Sequence, residues 1–157
     1  MKYPVVRLDN VQGTHDGTKL RSAQFAAATE VIPNGTMVQL GALKEGEREI
    51  FVAVMANEAD KPLYLVATPE MMYETGKHAL TDFVNEADGI LRCYKMCAGD
   101  VFAVTAEYFG EGTKPTKGQA VGVTEGKIVA GEGTIALGVC FDVEVVGSLT
   151  YYVIEVA

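Results

Sequence analysis

Two cysteines four residues apart, Cys93 and Cys97, are the first side chains in this sequence whose type and spacing suggest chemistry. On a β-strand, positions i and i+4 share a face, so two thiolates could approach one metal ion there. Zinc takes four ligands, however, and Cys140, His15 and His78 all lie far off in sequence. Nothing beside the two sulfurs marks an activated thiolate, so the expectation is buried core cysteines. His15 and His78 occur in no H-x-H or H-E-x-x-H pattern, and neither Ser22 nor Ser148 sits in G-x-S-x-G. Glu45, Glu47 and Glu49, at a spacing of two, would line one strand face. That face could attract a cation, but charges that keep a sheet edge from aggregating explain it more simply. Gly110-Glu111-Gly112 is no phosphate cradle, because it holds an acid and no helix follows it. No catalytic, cofactor or metal residue is assigned.

The elements that would position these groups are β-strands. Val101–Ala106, Ala120–Val123, Lys127–Ala130, Ile135–Val146 and Tyr151–Val156 alternate or run apolar and are rich in Val, Phe, Tyr and Thr. Turn formers separate them: Gly99-Asp100, Gly110-Glu111-Gly112, Glu125-Gly126, Gly131-Glu132-Gly133 and Gly147-Ser148. Upstream, Phe25–Ile32 is a strand candidate, and Pro33-Asn34-Gly35 is a turn. Thr36–Leu43 and Glu49–Met55 form a hairpin around the charged tip Lys44–Glu47, and Pro62–Thr68 and Ile90–Met96 are further strands. Leu80, Phe83, Val84 and Ala87, three and four apart, predict one short helix around residues 79–88. The adjacent Tyr151 and Tyr152 must point to opposite faces, which predicts one ring packed inward and the other exposed for protein contact.

These elements predict a mainly β fold, a compact barrel or sandwich of short antiparallel strands. At 157 residues with 48% hydrophobic content, a single domain can build its core without metals or disulfides. No Pro/Ser linker divides the chain, so residues 25–157 read as one β-rich domain. Residues 1–24 read as an N-terminal arm, either an arm that contacts another molecule or a frayed end. The arm holds four of the thirteen basic residues, Lys2, Arg7, Lys19 and Arg21, whereas the whole chain carries a formal charge of −8. That balance repels a phosphate backbone and excludes general nucleic-acid binding. No apolar run approaches the roughly 20 residues that span a bilayer. Three cysteines and no leading apolar stretch lead us to expect synthesis and folding in a reducing cytoplasm.

Several segments carry a family resemblance: Gly35–Gly41 (GTMVQLG), Pro62–Glu74 (PLYLVATPEMMYE), Leu80–Ala87 (LTDFVNEA), Gly99–Ala106 (GDVFAVTA) and Tyr152–Val156 (YVIEV). From about Asn34 onward the chain resembles the small capsid decoration, or head-stabilising, proteins of tailed bacteriophages and prophages of Gram-positive bacteria. The resemblance implies a non-enzymatic virion component on the capsid surface, made in the cytoplasm of a bacterial host. It would bridge neighbouring copies of the major capsid protein, as a monomer or a homotrimer, with no cofactor, nucleic acid or membrane. On that reading the arm, through Tyr3, Val5, Arg7 and Leu8, pairs onto a capsid strand by β-augmentation. Two alternatives stand beside it. One is another phage structural part, in the tail or neck. The other is a small β-barrel ligand-binding domain or enzyme that uses Glu70, Glu74 and His78 of the 69–87 insertion.

Overall fold

A computed structural model describes residues 2–7, 17–77, 79–109 and 113–157. Its first unit is a closed five-stranded barrel of β1 (Leu20–Phe25), β2 (Met37–Leu43), β3 (Ile50–Met55), β4 (Tyr64–Val66) and β5 (Ile90–Lys95). The order around it is β1-β3-β2-β4-β5, with β5 returning to β1. The second unit is an open sheet of β6 (Val101–Thr105), β7 (Ala120–Thr124), β8 (Lys127–Ala130), β9 (Ile135–Val146) and β10 (Leu149–Val156), in the order β6-β10-β9-β7-β8. The mainly β expectation therefore holds. Within it, one neighbour pair departs from the antiparallel rule, since β1 runs parallel to β3 with Ser22 opposite Ile50.

β1 also replaces the strand expected at Phe25–Ile32. Its sequence, LRSAQF, is too polar to signal a strand by alternation, yet it is laddered on both edges, to β3 and to β5. Two ladders satisfy its backbone groups and override a weak local preference. The boundary expected at residue 24 thus falls inside a barrel strand. Residues 2–7 are also built into the fold. Thr105 N–H donates to Val5 O at 3.1 Å and Arg7 N–H to Ala103 O at 3.1 Å, so this segment runs beside β6. Val5 and Val6 are each 2% exposed.

The helix expected over 79–88 shrinks to one 3-10 turn, Leu80–Asp82. Asp82 reaches back to the Ala79 N–H at 3.1 Å and caps that turn. Asn85 then exchanges both backbone hydrogen bonds with Ile32, which holds the chain extended. The helical spacing was coincidental, because Leu80 is exposed and Thr81 is the buried residue.

One core joins the two units. Met37, Leu65 and Tyr94 from the barrel pack with Phe102, Val121, Tyr152 and Ile154 from the sheet. The β7–β8 turn pins the junction, with Glu125 and Gly126 at φ 49° and 74°, as a two-residue hairpin of the I′ kind needs. Gly126 O accepts from Met37 N–H at 2.8 Å, and its N–H donates to Ala56 O at 3.0 Å. A Cβ at Gly126 would lie 2.8 Å from Met37 O, so only glycine lets the turn sit this close to the barrel mouth. The buried Tyr108 hydroxyl donates to Gly126 O at 3.2 Å and accepts from Ile128 N–H at 3.0 Å. Burial raises this phenol above the ordinary tyrosine range, so it stays a neutral structural link.

Candidate interaction surface

Among the described residues, the side chains first singled out for chemistry do not converge. Cys93 lies on β5 inside the barrel with its thiol pushed up to about 12 by burial, and Cys140 is buried in the shared core. Cys97 falls beyond the end of β5, half-buried, where its N–H donates to Asp100 at 2.8 Å. No cluster of three metal-ligating side chains occurs among the described residues. Glu45, Glu47 and Glu49 do not line a strand; all three lie exposed in the loop between β2 and β3. His15, His78, Leu8 and Gly110–Gly112 lie outside the described residues.

Of the pair proposed for an enzyme, Glu74 is exposed and paired with Lys77 at 3.0 Å. Glu70 is half-buried and accepts from Asn34 Nδ2 at 3.3 Å. Loss of water raises its pKa above the usual carboxylate value, only partly offset by hydrogen bonds from its own backbone and from Asn34. A shallow hollow of about 200 Å³ beside this loop is lined by Glu74 and Lys77 but not by Glu70. The two carboxylates therefore do not share one site. No helix of the described residues is long and apolar enough to cross a membrane.

Among the arm residues, Tyr3 N–H donates to Thr81 O at 2.7 Å, and Lys2 pairs with Asp82 at 2.7 Å. Val5 faces β6 and lies buried. Arg7 stacks on the Tyr151 ring, 5.4 Å from its centroid, and its guanidinium reaches Glu144 at 3.3 Å. The arm thus applies its pairing backbone at Val5 and Arg7 to its own sheet. Tyr3 and Pro4, with Val31, Pro33, Met55 and Tyr108, also line a mostly apolar groove of about 440 Å³. The two adjacent tyrosines differ from expectation. Tyr152 packs edge-on against Phe109 in the core, and Tyr151 is buried on the opposite face with Ala103 and Val153. Both sheet faces are covered there, so neither ring is offered to a partner.

Four exposed large apolar residues, Phe141, Val143, Val145 and Val146, lie together on the β9–β10 hairpin. β7 accompanies β9 only over Ile135–Val139, and Cys140 adds bonds to Gly118 and Gln119. Beyond that point β9 pairs with β10 alone as far as Val146 opposite Leu149. A bulge there leaves Phe141 without a register partner, aimed outward and 59% exposed. Val143 and Val145 continue the face that bears Tyr152, past the end of the core, and Val145 is 73% exposed. Asp142 and Glu144 occupy the other face, beside a groove of about 470 Å³ that Phe141 and Glu155 also line. Asp142 meets Lys117 at 2.9 Å. The turn is two residues long, with Gly147 at φ 62° in the first position, as a II′ hairpin requires.

No protein-family model matches this chain, and neither curated proteins nor solved structures give a match.

The sequence reading recognised Ile135–Val146 as a strand and Gly147-Ser148 as its turn, but not as a surface. One signal was present: at twelve residues β9 is more than twice the length of β7, so part of it must outrun that neighbour. Which part, and what it would expose, depends on register.

Proposed function

We propose that this protein is a non-enzymatic binding module of a virion that decorates and stabilises the outer surface of a tailed-phage capsid. The observation that carries this reading is the projecting β9–β10 hairpin on a closed, jointly packed β scaffold. A rigid body with an apolar protrusion suits contact with another protein surface, whereas a convergent polar cleft would suit a substrate. Its net charge of −8 keeps free copies apart in solution, which suits a component that must stay soluble until its lattice is present. The resemblance described above supplies the capsid as partner, with neighbouring major capsid subunits bridged from outside. Cosedimentation with expanded and unexpanded shells from the same source tests it. Saturable binding to expanded shells alone is the expected outcome, and binding to neither form would remove the decoration role.

The groove beside Tyr3 and Tyr108 favours a second reading, a small-ligand or peptide site. Under that reading, Val31→Arg at its rim would abolish ligand binding and leave shell binding intact.

A further inference from the structure

Among the described residues the distal half of β9 is an open strand edge with a defined chemical pattern, and we infer that it captures an extended segment of another protein whose residues alternate apolar and basic. A two-residue turn makes Val146 and Leu149 its hydrogen-bonded closing pair. Antiparallel pairing alternates from there, so Glu144 and Asp142 turn their backbone groups toward β10. Val143 and Val145 turn theirs the other way, where β7 has already ended. The Val143 N–H follows this assignment, since it donates to the neighbouring Asp142 carboxylate at 2.9 Å and not across the ladder. The Val145 N–H and the two carbonyls, with the Val143 N–H once an incoming strand draws it from Asp142, thus form a short template for one more strand.

Side chains select the occupant. Asp142-Val143-Glu144-Val145 places carboxylates on one face and valines on the other. An added strand sets its residues directly opposite these, valine against apolar and carboxylate against basic. A second copy of this chain fits poorly. Antiparallel pairing of the segment with itself about a two-fold normal to the sheet sets Asp142 against Glu144 when Val143 meets Val143, and Glu144 against Glu144 when Val143 meets Val145, and each copy carries −8. Lys117, on Asp142, shows that a basic side chain fits beside this edge. It is 67% exposed, so an incoming lysine or arginine can displace it at little cost. This inference does not depend on the partner being a capsid.

The test uses the intact protein with a fluorescein-labelled ten-residue peptide of alternating valine and lysine, and its valine–glutamate counterpart as control. Saturable anisotropy with the lysine peptide alone is expected, together with at least tenfold slower hydrogen exchange at the Val143 and Val145 amides. Val145→Pro removes an outward N–H that no ladder among the described residues uses. It should weaken capture at least tenfold with circular dichroism unchanged. Should that variant misfold, Asp142→Lys with Glu144→Lys provides an independent check, because preference should pass to the glutamate peptide. Equal binding of both peptides, no binding, or binding that leaves those two amides unprotected would overturn the inference. A dimer in sedimentation velocity that Val145→Pro abolishes would likewise overturn it, by assigning the edge to a second copy.

Discussion

Asn34 and Asn85 hold together three loops at one end of the barrel. Asn34 Nδ2 donates to Thr68 O at 2.8 Å and its Oδ1 accepts from Thr68 N–H at 3.0 Å, so one amide fixes the chain that leaves β4. Asn85 Nδ2 donates to Ile32 O at 2.7 Å and to Asn34 Oδ1 at 3.1 Å. The buried Asn85 Oδ1 makes no bond among the described residues, which places this amide in a costly position relative to its neighbour. Glu70 sits at the rim of the cluster. Because burial raises its pKa, the folded chain binds that proton more tightly than the unfolded chain does. The resulting stabilisation is complete below the unfolded value of 4.5 and is lost as pH rises through the higher folded value. Glu70→Gln retains an acceptor for Asn34 and has no proton to lose. We expect its urea midpoint to match the parent at pH 4 and to exceed it at pH 7. An equal shift at both pH values would contradict this assignment.

Segments, unlike residues, divide by whether their signal is local. From Met37 onward the strands follow the reading closely, because alternation and glycine turns are properties of a few adjacent residues. β1 was misplaced because its polar sequence becomes a strand only between two partners, β3 and β5. The helix was misread because a spacing of three and four cannot show that Asn85 will bond to Ile32. Residues 1–24 read either as an arm that contacts another molecule or as a frayed end, and their composition gives no sign that Val5 and Val6 are sealed against β6. Each of those valines contributes roughly 1.5–3 kcal/mol by leaving water. Deleting residues 1–7 should therefore lower unfolding free energy in urea by several kcal/mol, apart from any effect on partner binding. A truncated chain of unchanged stability would mean that these residues only rest on the sheet.

Barrel and sheet meet through a shared core and the Gly126 pin, so the whole molecule should unfold in one step. Cys93 reports on the barrel and Cys140 on the sheet, and both thiols are buried. In a urea titration, their alkylation should follow a single midpoint that coincides with the loss of β circular dichroism. Gly126→Ala forces a side chain into a left-handed turn and against Met37 O, at a cost of roughly 2 kcal/mol or more. That variant should lower both thiol midpoints together. Separate midpoints in the parent protein would show that the two units fold independently.

The sequence alone determined that the chain is mainly β and where most of its turns fall, since a period of two and glycine in left-handed positions act over a few residues. It also determined the acidic charge and the alternation of acid and valine along β9. Tertiary structure decided which strands are neighbours. Leu20 meets Tyr94 to close the barrel, Val6 meets Val104 to cover β6, and β7 stops short of Val143. Each is a pairing between segments distant along the chain, and its free energy depends on register and on the length of the partner strand. The covered edge at β6 and the open edge at β9 are both backbone, chemically alike at every residue, and only the fold distinguishes them.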